Sequence, residues 1–169
     1  MAIIDACQRL GLEIPQLDKT ASARLAAMLP PHAPHPSNPV DFAGSYRTAV
    51  DEANVVETLL KLDYIDGIIS NVPVNPLVWS TKLEKLGNPE LIEQIQKLVD
   101  EGVKQFCGLP QKYGKPIACV RWHGDVSKDP VSIKLIESGI PVYDTPEQCA
   151  RAMHGLVAYA ELRRRGKQE

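Results

Sequence analysis

Apolar positions along this chain follow a helical period in some stretches and form short unbroken β-branched runs in others, and the two patterns alternate. Met1 to Leu10 (MAIIDACQRL) has apolar residues at helical spacing and stops at Gly11, which reads as a short helix with a glycine stop. Leu12-Glu13-Ile14-Pro15 is a brief extended segment, and Asp18-Lys19-Thr20 leads into an alanine-rich helix from Ala21 to Leu29 that ends at Pro30-Pro31. From Thr48 to Leu62 a broad stripe of Val50, Ala53, Val55, Val56, Leu59 and Leu60 predicts a helix packed on a sheet. The period then changes. Tyr64 to Asn71 has the β-branched density of a buried strand and runs into the proline-punctuated loop 71–76. Asn88 as N-cap and Pro89 in the first turn open a long amphipathic helix whose apolar face is Leu91, Ile92, Ile95, Leu98, Val99, Val103 and Phe106. Pro116 to Val120 is a second buried strand, Pro130 to Glu137 a helix, and Gly139 to Tyr143 a short third strand. Thr145-Pro146-Glu147-Gln148 is a capping-box pattern for a last helix carrying Ala150, Met153, Leu156, Val157, Tyr159 and Ala160 toward Arg163-Arg164-Arg165.

Buried strands alternating with helices call for an α/β fold with a parallel, doubly wound sheet, whose functional groups gather beyond the carboxyl ends of the strands. That puts Asn71 and Asn75 on one rim with Trp122, His123 and Asp125. The run Ser37 to Gly44 (SNPVDFAG) is a second concentration of polar, conformation-fixing residues: Asn38 and Asp41 favour turns, Pro39 fixes φ, and Gly44 permits positive φ. It reads either as a rigid connector or as a loop presenting Asn38 and Asp41.

Composition narrows the picture. The 169 residues fit one domain large enough to dispense with a disulfide or metal staple, and 44% hydrophobic with 24% charged residues is ordinary for a globular protein. A net charge of -2 argues against a nucleic-acid partner. The arginine cluster complements a helix C-terminus. Four widely spaced cysteines, with no C-x-x-C, read as reduced cytosolic thiols rather than zinc ligands or a redox pair. No apolar run approaches the ~20 residues that span a bilayer, and no secretory leader pattern opens the chain, so a cytoplasmic location without membrane attachment is expected.

Self-contained catalytic chemistry is hard to find. No G-x-S-x-G, P-loop, G-x-G-x-x-G or H-E-x-x-H pattern occurs. His32 and His35 lack metal-ligand spacing and read as solvent-facing, and His154 as a packing or surface residue. His123 is the better candidate because it follows a strand and lies near Asp125, which could orient an imidazole. Trp79 and Trp122 either stack on a ligand ring or cover the core edge.

The order of motifs is more specific than any one of them. Gly11-Leu12, Leu29-Pro30-Pro31, Asn38-Pro39-Val40-Asp41, Tyr64-Ile65-Asp66, Lys115-Pro116 and Gly139-Ile140-Pro141-Val142-Tyr143 before Thr145-Pro146-Glu147 follow one another. This series resembles the C-terminal flavodoxin-like domain of the NDP-forming acyl-CoA synthetases, relatives of succinyl-CoA synthetase, along essentially the whole chain. The resemblance implies a three-layer flavodoxin-like domain over residues 1–169 of an acid-thiol ligase. That ligase converts acyl-CoA, phosphate and nucleoside diphosphate to acid, CoA and nucleoside triphosphate through a phosphohistidine. CoA, ATP or ADP, and magnesium belong to the complete enzyme. The histidine-bearing and CoA-binding domains and the ATP-grasp module would be partners, with a homodimer left open. Met1, Ala2 and Ile3 at the start of the first helix, with Asn38, Asp41 and Gly44, would form one wall of the phosphoryl-transfer site, and the isolated chain is expected to be inactive. Two other readings stay open: a non-catalytic regulatory domain, as in the synthetase-like portion of some protein lysine acetyltransferases, and, less well supported, a free-standing flavodoxin.

In such domains a first strand and a glycine-rich turn precede the first helix, and this sequence begins after them. In the flavodoxin order 2-1-3-4-5 that strand is central. Either Leu12–Ile14 therefore pairs directly with Tyr64–Ser70, or a partner chain fills the gap, because an unpaired buried strand edge is unfavourable.

Overall fold

A computed structural model describes residues 2–42, 48–73, 89–122 and 125–166. The sequence-predicted positions Met1, Gly44, Asn75, Trp79, Asn88 and His123 lie outside the described residues. The elements run α1 (Ala2–Arg9), α2 (Lys19–Ala26), α3 (Ala49–Leu60), β1 (Ile68–Asn71), α4 (Pro89–Tyr113), β2 (Ile117–Val120), a single 3-10 turn (Val126–Lys128), α5 (Pro130–Glu137), β3 (Val142–Tyr143) and α6 (Pro146–Arg165). The described strands form a parallel sheet in the order β1-β2-β3, with Ile68 opposite Ile117 and Cys119 opposite Val142. The α/β expectation holds at this level.

Local chemistry explains the helix starts. The Asp18 carboxylate accepts from the backbone N–H groups of Thr20 and Ala21 at 2.8 Å each, Thr48 and Asp51 form a reciprocal capping box, and the Thr145 hydroxyl accepts from Gln148 N–H at 3.2 Å. Lys115 Nζ donates to the carbonyls of Leu60 and Leu62 at 2.9 and 2.8 Å, closing the far end of α3. Gly11 has φ 74°, the left-handed conformation that a glycine stop requires after α1.

Alternation along the strands divides the core between two faces. Ile68, Ile117 and Cys119 point to one face with Ala53 and Val56 of α3, Val103 and Phe106 of α4, and Leu135 of α5. Ala118 and Val120 point to the other with Cys149 and Met153 of α6, and Ile3, Leu12 and Ile69 pack beside them. Helices α3 and α4 approach closely: a Cβ on Gly102 would lie 2.3 Å from the backbone of Ala49 and Val50. Glu57 of α3 also takes hydrogen bonds at 2.6 Å from both Lys112 Nζ and Tyr113 Oη of α4. The Lys112 bond first, then the Tyr113 bond, holds the Glu57 carboxyl below the usual range. A carboxyl pKa lowered by folding stabilises the fold fully above its unfolded value of about 4.3, and the contribution is lost as pH falls through the folded value. Glu57→Gln is therefore expected to lower urea-unfolding stability near neutral pH, with a difference from the parent that shrinks as pH falls through the folded value. A loss that does not change as pH falls would contradict this.

The structure corrects several expectations. Leu12–Ile14 is not a strand and makes no ladder with β1; Leu12 and Ile14 instead pack with Ala6 and Cys7 of α1 and Ala150 of α6. The buried strand expected over Tyr64–Asn71 is shorter, and its burial falls from Ile68 to an exposed Asn71, whereas β2 is buried throughout. The core face of the last helix ends at Met153: Leu156, Val157, Tyr159 and Leu162 are 42–65% exposed.

Candidate functional site

A groove of about 860 Å³ opens along the outer edge of β1. Ile3 and Cys7 of α1 and Leu156 and Val157 of α6 line it from one face of the sheet, and Val55, Val56 and Leu59 of α3 from the other. The segment Leu12–Pro15 and the loop residues Asn38, Pro39, Val40 and Phe42 also line it. The structure therefore brings Ile3, Asn38, Asn71 and Trp122, taken from three separate parts of the sequence reading, to one cavity.

Asn38 owes its position to a 3.1 Å hydrogen bond from Nδ2 to the Pro15 carbonyl, which ties the loop to the 12–18 segment. Tyr64 ties the same segment to the approach of β1: its hydroxyl donates to Asp18 Oδ2 at 2.9 Å and accepts from Asp18 N–H at 3.1 Å. The backbone N–H of Ala21, first, and the Tyr64 hydroxyl, second, keep the Asp18 carboxyl below its ordinary pKa. Trp122 is 49% exposed and its Nε1–H donates to Asn71 Oδ1 at 2.6 Å, bracing two strand exits against each other. Asp41 is exposed and does not line the groove, and neither does Ala2.

Asp125 has a local structural occupation. Its carboxylate accepts from the Ser127 hydroxyl and N–H at 2.6 and 3.0 Å and pairs with Lys128 at 3.1 Å, chiefly the Ser127 hydroxyl holding its pKa down. It thereby organises the 3-10 turn. His35, expected to face solvent, is exposed but has Nδ1 3.2 Å from Ser22 Oγ.

Sequence reasoning missed the buried pair at the end of β2. Arg121 is 8% exposed and Asp129 3%, and they form an ion pair in which Asp129 also accepts from the Ser132 hydroxyl and N–H. Arg121 Nη1 donates to Ser132 Oγ at 3.1 Å, while its buried Nε has no hydrogen-bond partner. The only sequence signal was Asp129-Pro130, an N-cap followed by an N1 proline. The cysteines are free; burial raises the thiol pKa of Cys119 strongly and pushes Cys149 up to about 12, which makes both inert toward thiolate chemistry.

Among the described residues no cluster of His, Cys, Asp and Glu could hold a metal ion. Among the described residues that line the groove, the charged side chains are Glu13, Glu52, Asp66, Glu161 and Arg164. No described helix is long and apolar enough to cross a membrane.

The fold and groove define an α/β domain whose cavity lies beside a parallel sheet. Over 157 residues the chain is 29% identical to the alpha subunit of an ADP-forming acetate–CoA ligase II from Pyrococcus furiosus, a match covering 93% of this chain and 30% of that subunit. The chain thus spans less than a third of the length of this curated relative, and the distant similarity supports a ligase-related domain. No protein-family profile and no solved structure matches it significantly.

Proposed function

We propose that this chain is a flavodoxin-like, three-layer domain of an NDP-forming acyl-CoA synthetase, a single unit over residues 1–169 working in the cytoplasm as part of a larger ligase. The observation that carries the reading is the similarity over 93% of the chain to a ligase alpha subunit. The described sheet order and the packing of different helices on its two faces support it.

In this reading the domain supplies one wall of a phosphoryl-transfer site, with Asn38 and Asp41 on the loop and Ala2 and Ile3 at the start of α1. A helix start with free N–H groups favours a nearby anion by ~0.3–1 kcal/mol when exposed, so it assists a phosphohistidine held elsewhere without binding phosphate alone. In this reading CoA, nucleotide and magnesium belong to the histidine-bearing, CoA-binding and ATP-grasp parts of the assembly. The chemistry of the domain is positioning and electrostatic bias.

Asp41→Asn in the assembled synthetase tests the wall. The expected result is a fall in ligase turnover with the assembly intact by size-exclusion chromatography, and undiminished turnover would return the loop to a connector. Acyl-CoA formation by the isolated chain from acid, CoA and ATP would overturn the division of labour.

A further inference from the structure

Helix α6 is 20 residues long and packs on α1, β2 and β3, and its buried residues, Pro146, Cys149, Ala150 and Met153, all lie in its first half. At about 100° per residue, Tyr159 and Leu162 lie roughly 130° and 170° round the helix from the mean direction of Cys149, Ala150 and Met153. They point away from the sheet and are 59% and 65% exposed. A further strand in the sheet would lie on the opposite side of the helix and would not cover them. Along this outer face Arg151, Gly155, Ala158, Leu162 and Arg165 recur at steps of 4, 3, 4 and 3 residues, the spacing of a heptad seam. A Cβ on Gly155 would meet nothing within 4 Å, and its φ is not positive, so neither packing within the described residues nor backbone geometry requires glycine there. Glycine also disfavours a helix interior relative to alanine. What it offers is room. With Ala158 one turn on, it lets a second helix approach closely, and Tyr159 and Leu162 supply apolar anchors beside that approach.

We propose that the outer face of α6 from Arg151 to Arg165 is a docking seam for one helix of a partner polypeptide, apolar along its own seam and carrying glutamate or aspartate where it passes the two arginines. Charge selects this occupant. In a second copy packed antiparallel about Ala158, Arg151 would face Arg165 at both ends, and in a parallel pair each arginine would face itself, so self-association sets like charges together. Arg163, over the Tyr159 ring at 5.9 Å, adds positive charge beside the seam, while Glu161 turns toward the groove. A membrane surface is a poorer fit, because small residues occupy the middle of the face where an interfacial helix carries bulky apolar ones. The surface belongs to α6 alone and is independent of the reaction that the assembly performs.

The probe is a synthetic helical peptide of about three heptads, with leucine and alanine alternating along its seam and glutamate beside it, added to the 169-residue chain. Binding should shift the amide resonances of Gly155, Ala158 and Leu162 and leave those of α3 unmoved. The same peptide with lysine for glutamate should bind at least ~10-fold more weakly, and Arg151→Glu combined with Arg165→Glu in the chain should reverse that preference. Gly155→Gln separates docking from folding. A better helix former replaces an exposed glycine, so the melting temperature should rise while binding weakens at least ~10-fold. The proposal is overturned by no peptide binding to a folded chain, by shifts confined to residues outside α6, by equal binding of the two peptides, or by undiminished binding to Gly155→Gln. Dimers by analytical ultracentrifugation that Leu162→Asn abolishes would assign the seam to a second copy, and tighter binding of phosphatidylserine vesicles than of the peptide would assign it to a membrane. Either outcome overturns the proposal as well.

Discussion

Asp129→Ala lowers the unfolding free energy by about 3–5 kcal/mol, the usual result of leaving one partner of a buried ion pair uncompensated. Three losses coincide at this residue. Arg121, 8% exposed, keeps its charge without its counter-ion, Ser132 loses the acceptor for its hydroxyl, and α5 loses the N-cap that accepts from Ser132 N–H. The cap alone is worth about 0.5–2 kcal/mol. The guanidinium Nε already lacks a partner, so no second acceptor stands ready to take over. Adding Arg121→Met to Asp129→Ala should recover much of the loss, because it removes the buried charge. Denaturant titration of the two single variants and the double variant reads this directly. A loss below about 1 kcal/mol for Asp129→Ala would mean that the pair is solvated in solution.

Gly102→Ala destabilises although alanine is the better helix former. Helix propensity alone predicts a gain of about 1 kcal/mol in a helix interior. The new methyl, however, would meet the backbone of Ala49 and Val50 at 2.3 Å and the Ala49 side chain at 2.6 Å, and backbone cannot rotate away. Overpacking of this kind costs about 1–3 kcal/mol or more, so the clash wins and α3 is driven off α4. Gly108→Ala on the same helix is the internal comparison: its Cβ would meet nothing within 4 Å, so only the propensity gain of about 0.5–1 kcal/mol remains. Opposite signs at the two glycines in thermal unfolding are the expected outcome, and a stabilised Gly102→Ala would refute the close helix crossing.

The parts of the fold legible in sequence were those decided by local chemistry. Pro130–Glu137 coincides with α5, Thr145 caps α6 as its hydroxyl spacing implies, and Pro116–Val120 contains β2, whose unbroken apolar run matches its burial on both faces. Expectations failed where a residue's environment depends on what lies beside it in space. Ile68 and Ile69 have the composition of an interior strand, yet β1 is half open because nothing among the described residues pairs with its outer edge. Leu12 and Ile14 look extended and apolar, and satisfy that character by packing side chains on α1 and α6 rather than by joining a ladder. Leu156 and Val157 continue a helical stripe whose sheet does not reach them.

The site divides the same way. Asn38 was legible as a residue that fixes a loop, and its bond to the Pro15 carbonyl is that role. Its place beside Ile3, Asn71 and Trp122 required the fold. Arg121 looked like one residue of an exit loop, since its partner Asp129 is joined to it only through the turn between β2 and α5.

Among the described residues the sheet ends at β1, and amide hydrogen exchange on the 169-residue chain tests that edge most directly. The N–H groups of Cys119 and Arg121, bonded to the Pro141 and Tyr143 carbonyls at 2.9 and 2.8 Å, should be strongly protected, while Ile69 and Asn71 exchange close to the rate of free peptide. Protection of Ile69 and Asn71 equal to that of Cys119 and Arg121 in the monomeric chain would contradict the open edge.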